Sequence, residues 1–211
     1  DFLYARAFGL STRLSSRLPS QLLSDTTRKL CVGEIEQSAG RYDFEQSQAD
    51  YERVAGAKTA SLYAAACELG ARYPGAGEQL GGAMRAFGWE LGLAFQIIDD
   101  CLDIAGDEAR LGKTVGTDVD DGKVTLAVLH TYASAHEGLR ARIRDIYTTP
   151  GLEQRAARLR ETADLGPGLD FAMSRAQELV DAALGRLARL PASPARRAME
   201  LACEFVLQRT W

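Results

Sequence analysis

The 211-residue sequence carries a formal net charge of −4 at pH 7, and 46% of its residues are hydrophobic. A chain of this size and hydrophobic content can bury a sizeable core, so residues 1–211 are predicted to form a single domain. The acidic balance argues against a general nucleic-acid binder and against a protein that binds anionic membranes.

Two further features bear on where the protein resides. No apolar run reaches the roughly 18 residues that a membrane span needs, so no transmembrane segment is predicted. The four cysteines are scattered along the chain without a Cys-x-x-Cys pair, and we interpret them as reduced thiols. Together these features predict a cytoplasmic protein.

The N-terminal part of the chain reads as two helices. Residues 1–17 are predicted to be the end of one helix, and Pro19 restarts a helix at its first turn. In this second helix Glu34 and Gln37 are three residues apart and occupy neighbouring positions of one face. One interpretation of these two polar side chains is a solvated surface strip.

A lysine marks the next predicted helix. Ser47 or Asp50 is expected to cap a short helix that ends near Val54. Lys58 and Thr59 are then predicted to open an alanine-rich helix whose small residues permit close packing. A cation at a helix N-terminus opposes the helix dipole, whereas a lysine beside a phosphate bound at that terminus gains a charge-assisted contact. A surface lysine remains the alternative.

The central helix of the chain covers residues 88–103. Between residues 91 and 98 its only polar side chain is Gln96, so this segment is predicted to be buried on most sides. The helix ends in three carboxylates, Asp99, Asp100 and Asp103. Asp99 and Asp103 are four residues apart on one face, while Asp100 points roughly 100° away around the helix.

The negative charges of these carboxylates need a nearby positive charge to offset their repulsion. Asp99 and Asp103 repel each other near a helix C-terminus, where the partial negative charge also disfavours anions. A hard divalent cation compensates directly, and Mg²⁺ is usually held by one or two carboxylates together with substrate phosphate oxygens. The alternative is an acidic helix end that frays into solvent.

The segment that follows, residues 106–123, suits phosphate capture. It is punctuated by glycines, and Lys113 and Lys123 each come directly after one. Glycine lets the backbone approach an anion closely, and lysine supplies a mobile point charge. Acidic residues that can bind a metal ion are thus followed by Lys113 and Lys123, which can bind phosphate groups. This order indicates a site for a diphosphate.

The rest of the chain is also predicted to be helical. A helix begins at Val124, and three more follow Gly151, with a Gly/Pro break over residues 162–169. Ser193 and Pro194 predict an N-cap and the first position of the last helix. Two apolar stripes are predicted to face the core, namely Val180, Ala183, Leu184 and Leu187, and then Ala198, Leu201, Ala202 and Phe205. The sequence shows no strand-length alternation, so the fold is predicted to be all-α.

Five stretches, in order, resemble one known family, the trans-isoprenyl diphosphate synthases or polyprenyl synthetases. They are Asp1-Phe-Leu-Tyr-Ala-Arg-Ala-Phe8, Gly33-Glu-Ile-Glu-Gln37, Lys58-Thr-Ala60, Phe95-Gln-Ile-Ile-Asp-Asp-Cys-Leu-Asp103, and Gly112-Lys-Thr-Val-Gly-Thr-Asp118 with Gly122-Lys123. The fourth resembles the second aspartate-rich motif of that family. The resemblance implies a helical bundle of the isoprenoid synthase type, represented here by its C-terminal portion. The N-terminal helices of the family, with their first aspartate-rich motif, have no counterpart in this sequence and are expected to be missing.

The resemblance also implies an activity. Such a protein is a prenyltransferase that condenses isopentenyl diphosphate with an allylic diphosphate to make a polyprenyl diphosphate, and the family resemblance alone implies a homodimer. Mg²⁺ is expected at Asp99, with Asp100 and Asp103 in or near its coordination shell. The implied diphosphate ligands are Lys58, Thr59, Lys113 and Lys123, with Lys58 and Lys113 also assisting ionisation. The remaining implied site residues are Phe95 in the apolar wall, Gln96 beside the acids and Gln37 in the cavity lining.

Two other functions remain open at this point. One is a catalytically incomplete partner subunit of a heteromeric synthase, suggested by the missing first acid cluster. The other is a class I terpene cyclase, which usually carries an Asn/Ser/Glu-type second motif where this chain has Asp99-Asp-x-x-Asp103. We also expect residues 1–211 alone not to condense two substrates, and the missing helices to expose the apolar face of residues 91–98.

Overall fold

A computed structural model describes residues 2–73, 75, 77–105 and 115–209. Within those ranges it contains α-helices, one π-helical turn and no strand, which confirms the all-α prediction. The α-helices are α1 (Phe2–Ser11), α2 (Leu18–Ala39), α3 (Gln48–Ala55), α4 (Ser61–Arg72), α5 (Glu78–Ala105), α6 (Thr117–Asp120), α7 (Leu126–Ser134), α8 (Glu137–Thr148), α9 (Arg155–Thr162), α10 (Gly166–Leu187) and α11 (Pro194–Gln208). The π-helical turn spans Gly56–Ala60. None of the helices in these ranges combines the length and apolar character of a membrane span.

Helix α5 is the centre of the bundle, and α4 and α10 flank it. Across residues 91–98 every side chain is buried except Phe95 and Gln96, which are partly exposed. The burial predicted for this segment is therefore confirmed. The expectation that its apolar face would be exposed is wrong, because helices within this chain already cover it.

Glycines allow α5 to lie directly against α4. A Cβ atom at Gly88 would come within 2.4 Å of the Tyr63 carbonyl oxygen, and one at Gly92 within 2.8 Å of the Ala60 Cα atom. The facing Ala60 and Ala64 of the alanine-rich segment are buried. The predicted close packing of small residues thus occurs, and it holds the Lys58 segment against the acidic end of α5.

The Lys58 segment does not begin a helix. The Ser47 side chain caps α3 together with Asp50 in a reciprocal capping box, as predicted, and the chain then stays helical through the π-turn into α4. Lys58 and Thr59 therefore lie in the middle of a continuous helical run, and the prediction of a helix N-terminus at Lys58 is wrong. Single π-turns within α-helices are frequent at functional sites.

Two bidentate ion pairs fix α10 against its neighbours. Arg175 Nε and Nη2 lie 2.8 and 2.9 Å from the two carboxylate oxygens of Glu52 on α3. Arg186 Nε and Nη2 each lie 2.6 Å from an oxygen of Glu90 on α5. Paired hydrogen bonds of this kind restrict the angle between the partners as well as their distance, so they orient α3 and α5 on α10.

The C-terminal helices differ from the prediction in three respects. Helix α8 was not predicted, and α10 begins at Gly166, so the Gly/Pro break is shorter than expected. Ser193 caps α11 through a 3.1 Å contact from the Arg196 N–H, as predicted. The predicted core stripe of α11 is wrong, because Leu201 and Phe205 are 48% and 65% exposed while Cys203 and Val206 are buried. This helix is apolar on two faces, so periodicity alone could not identify the buried one.

Candidate active site

The three carboxylates at the end of α5 have three different sets of partners. Asp100 is 2% exposed, and its Oδ1 accepts hydrogen bonds from Gln96 Nε2 and Lys123 Nζ, each at 2.6 Å. Its Oδ2 accepts a third from the Tyr51 hydroxyl at 2.8 Å. Donors from α3, from α5 and from the segment after α6 therefore meet at one buried carboxylate.

Lys123 links two acids. Its ammonium lies 2.6 Å from Asp100 Oδ1 and 3.0 Å from Asp118 Oδ2. Burial lowers the pKa of Lys123, but the two carboxylates outweigh burial and raise that pKa above its ordinary value. Burial and the charge of Asp100 raise the pKa of Asp118 to about 6, against the opposing effect of Lys123. The ammonium is thus a fixed cation at neutral pH.

Asp103 anchors the segment that carries α6. Its Oδ1 accepts a hydrogen bond from the Thr117 hydroxyl and its Oδ2 one from the Asp118 N–H, both at 2.9 Å. The Gly116 N–H donates to the Asp103 carbonyl oxygen at 2.7 Å, and Gly116 has a φ of +83° that suits glycine. Asp103 consequently fixes the start of α6 beside the end of α5.

Asp99 is the most accessible of the three acids, with 33% of its side chain exposed. Its Oδ1 lies 3.2 Å from Arg209 Nη2 at the end of α11. The same guanidinium lies 4.4 Å from the centre of the Phe95 ring, a cation–π contact. Asp99 and Phe95 therefore form one corner of the site with Arg209 above them.

The predicted ligands Lys58 and Thr59 are tied to residues of α2 and α5. Lys58 Nζ contacts Gln37 Oε1 at 2.5 Å and Glu34 Oε2 at 2.9 Å. The Thr59 hydroxyl donates to Gln96 Oε1 at 2.6 Å. One pocket is lined by residues of α2, α3, the π-turn, α5 and the segment after α6, among them Gln37, Tyr51, Lys58, Gln96, Asp100 and Lys123.

Most of the predicted site residues therefore come together, and three further residues join them. Lys113, predicted as a diphosphate ligand, lies outside the described residues. Asp118 ends the Gly112–Asp118 stretch that resembles the family, but the sequence analysis predicted no role for it. No local sequence pattern predicted Tyr51 or Arg209 as a site residue. Tyr51 contacts Asp100, and Arg209 contacts Asp99, only because of how the helices pack.

The carboxylate oxygens at this site are the type of ligand that a hard cation prefers. In the described ranges no three His, Cys, Asp or Glu side chains converge as a ready metal cage. Asp100 and Asp103 are buried and engaged by protein donors, whereas Asp99 is partly exposed and its described partner is an arginine. The site fits a divalent cation held by one carboxylate of this chain, with other oxygens from substrate or water.

Known proteins are similar to this chain in sequence. Residues 1–163 match the family model described as polyprenyl synthetase. Octaprenyl diphosphate synthase of Haemophilus influenzae is 35% identical over 94% of this chain and 60% of that protein. Heptaprenyl diphosphate synthase component 2 of Bacillus subtilis is 33% identical over 99% of this chain and 59% of that protein. The chain thus spans about three fifths of the length of these two curated relatives.

Solved structures show the same fold. The polyprenyl synthase from Caulobacter crescentus CB15, complexed with calcium and isoprenyl diphosphate, matches with a TM-score of 0.91 at 35% identity over 99% of this chain and 64% of that one. The decaprenyl diphosphate synthase from Rhodobacter capsulatus matches with a TM-score of 0.88 at 30% identity over 99% of this chain and 65% of that one. Since the family model covers more than three quarters of its residues, this chain belongs to the polyprenyl synthetase family.

Proposed function

We propose that this chain carries a diphosphate-binding wall of a polyprenyl diphosphate synthase, a prenyltransferase that condenses isopentenyl diphosphate with an allylic diphosphate. The observation that carries the proposal is the meeting of Lys58, Gln96, Asp100 and Lys123 around one pocket. In the proposed reaction the allylic carbon–oxygen bond ionises, isopentenyl diphosphate attacks the allylic cation, and a proton is lost. The names of the relatives support this reaction class.

The residues of this chain would act mainly through electrostatics. Lys58 is 36% exposed and its partner Glu34 is 53% exposed, so their ion pair is weak and the ammonium can turn toward a diphosphate oxygen at small cost. Lys123 is held between two carboxylates and contributes a fixed positive charge nearby. We propose that Asp99 would hold Mg²⁺, which would supply further positive charge for stabilising the diphosphate leaving group.

The surroundings of the site would keep water away from a carbocation. Most of residues 91–98 are buried against α4 and α10, and Phe95 is the partly exposed apolar side chain of this segment. An apolar side chain beside the reacting carbon would help to suppress hydrolysis of a reactive intermediate. Phe95 is thus proposed to contribute to the apolar wall.

A condensation assay tests the proposal. Labelled isopentenyl diphosphate and allylic diphosphates of several lengths are incubated with the protein, with Mg²⁺ or with excess chelator. Any product, formed by the chain alone or after mixing with a partner protein, should be chelator-sensitive, and Lys58→Gln should lower kcat/KM for the allylic diphosphate by about tenfold or more. Lys29→Gln, a lysine on α2 that does not line the pocket, is the control. Chelator-resistant product, or equal effects of the two variants, would contradict the assignment.

A second candidate function is a component that needs a partner protein for catalysis. It is favoured by the name of the Bacillus subtilis relative, heptaprenyl diphosphate synthase component 2. The same assay separates the two functions. Product from the 211-residue chain alone favours a self-sufficient site, whereas product only after mixing with a protein that carries another aspartate-rich motif favours the component.

We also propose that the protein forms a homodimer and resides in the cytoplasm. The dimer is supported by large apolar side chains that α1 and α2 leave exposed, namely Phe2 at 80%, Leu3 at 81% and Ile35 at 69%. Light scattering should give twice the chain mass, and Ile35→Asp should reduce it to one chain. Phe205→Asp, which replaces an equally exposed residue on α11, should leave the mass unchanged.

A further inference from the structure

The hydroxyl of Tyr51 is the least expected member of the site. Tyr51 lies on α3 and is 5% exposed, and its hydroxyl donates a hydrogen bond to Asp100 Oδ2 at 2.8 Å. The other oxygen of Asp100 receives both Gln96 and Lys123. Tyr51 therefore donates to the carboxylate oxygen that these two side chains do not touch.

The direction of each hydrogen bond follows from Asp100. An ionised carboxylate only accepts, so the Gln96 amide must turn its nitrogen toward Asp100 and its oxygen toward Thr59. Thr59 has one hydroxyl proton, and this arrangement commits that proton to Gln96. The orientation of Asp100 thus decides the orientation of both Gln96 and Thr59, as well as the position of the Lys123 ammonium.

Tyr51 holds Asp100 in that orientation. The Tyr51 hydroxyl has a proton to donate and a carboxylate accepts, so the 2.8 Å contact is a hydrogen bond from Tyr51 to Asp100. Without the hydroxyl, Oδ2 would be a buried charged oxygen lacking this donor, which is costly. The carboxylate torsion is soft, so Asp100 would rotate toward another donor and carry Lys123 and Gln96 with it.

We propose that Tyr51 is a positioning residue of the diphosphate site, which acts through Asp100 to fix the Lys123 ammonium and the Gln96 amide. The proposal rests on the proposed function of the pocket only for its catalytic consequence. Its structural consequence, the fixed position of Lys123, is measurable in the protein without any ligand.

The first test observes Lys123 directly. The sequence contains only four lysines, Lys29, Lys58, Lys113 and Lys123, so the ammonium signals of ¹⁵N-lysine-labelled protein are few, and Lys123→Gln assigns the signal of interest. In Tyr51→Phe we expect that signal to shift and its hydrogen exchange to accelerate by about tenfold, the loss expected for one hydrogen bond to a charged group. Tyr132→Phe is the control, because it removes the hydroxyl of another buried tyrosine that instead contacts Arg144.

Circular dichroism of both variants must show the helical content of the unmodified protein. If Tyr51→Phe were unfolded, Tyr51→Leu and Tyr51→Met, which also lack a donor, would replace it in the same measurement. An unchanged Lys123 signal in a folded Tyr51→Phe variant, or an equal change in Tyr132→Phe, would overturn the proposal.

The second test uses turnover. We expect Tyr51→Phe to lower kcat/KM for the allylic diphosphate by about tenfold and to leave KM for isopentenyl diphosphate within about twofold. Because Tyr51 acts through Asp100, its effect should disappear in an Asp100→Asn background. Turnover by the unmodified protein with no effect of Tyr51→Phe would refute the inference. Absence of turnover, alone and with a partner protein, would refute the proposed function, and the Lys123 signal would still decide the inference.

Discussion

Arg209 Nη2 lies 3.2 Å from Oδ1 of Asp99, so a cation of the protein contacts the acid that is most accessible to a metal. The two residues are 110 positions apart in the sequence. Their contact links the end of the last helix to the aspartate motif, and it places a guanidinium on the carboxylate that we propose as the metal ligand.

Replacement of Arg209 should therefore strengthen metal binding. In Arg209→Gln we expect the Mg²⁺ dissociation constant to fall by up to about fivefold, since a partly exposed ion pair contributes at most roughly 1 kcal/mol. Isothermal titration calorimetry measures the constant. Arg196→Gln is the matched control, because Arg196 lies on the same helix but pairs with Glu200. Weaker Mg²⁺ binding in Arg209→Gln would show that the two cations do not compete.

The neighbouring acids Asp99 and Asp100 should have different roles, with Asp100 contributing to stability and Asp99 to Mg²⁺-dependent turnover. Asp100→Asn removes the charge that faces Lys123 in a buried network, so we expect the free energy of unfolding to fall by roughly 1.5–3 kcal/mol. Asp99→Asn should change it by less than about 1 kcal/mol, because Asp99 is partly exposed, and should instead abolish Mg²⁺-dependent turnover. Urea unfolding and a Mg²⁺ titration of activity measure the two effects. Near-normal kcat in Asp99→Asn would refute the metal assignment.

The ion pair between Glu52 and Arg175 should make stability depend on pH. Burial raises the pKa of Glu52, but hydrogen bonds from Arg175 and Gln48 outweigh burial and lower that pKa below its ordinary value of 4.5. In the window between the lowered pKa and 4.5 the unfolded chain binds more protons, so the contribution of Glu52 to stability is present above 4.5 and is lost as pH falls through the lowered pKa.

We therefore expect Glu52→Gln to reduce the free energy of unfolding at pH 7, with the deficit shrinking as the solution is acidified below about pH 4.5. Urea unfolding over a series of pH values tests this. Glu178→Gln is the control, since Glu178 contacts the same arginine but is 66% exposed. A deficit that stayed constant from pH 7 to pH 3 would contradict the linkage.

The close approach of α4 and α5 should make Gly88 intolerant of a methyl group. A Cβ atom there would lie 2.4 Å from the Tyr63 carbonyl oxygen, which is backbone and cannot turn away. We expect Gly88→Ala to destabilise the protein by about 1–3 kcal/mol. Gly82→Ala, on the same helix with no atom within 4 Å of its added Cβ, should stabilise it by roughly 0.5–1 kcal/mol. Chemical denaturation of both variants gives the comparison, and a stable Gly88→Ala protein would mean that α4 can shift.

Several features could be predicted from the sequence because they depend on short-range spacing. The apolar run of residues 91–98 requires burial on most sides of any helix that contains it, and the structure buries it between α4 and α10. The capping of α3 and α11 follows from Ser47 and Ser193 and their next three residues. The acids at the end of α5 also indicated a compensating positive charge, but the prediction was a divalent cation, whereas the structure pairs Asp100 with Lys123, the predicted diphosphate ligand.

Only the tertiary structure decided which partner each side chain meets. Arg209 reaches Asp99, and Tyr51 reaches Asp100, because of how α11 and α3 are rotated against α5, and no local spacing contains that rotation. The same reason explains the errors: α11 has apolar residues on two faces and buries the one with Cys203, and the backbone around Lys58 continues as a π-turn within a longer helical run. A helix pattern specifies which side chains share a face, whereas the packing of neighbouring helices specifies which face is buried.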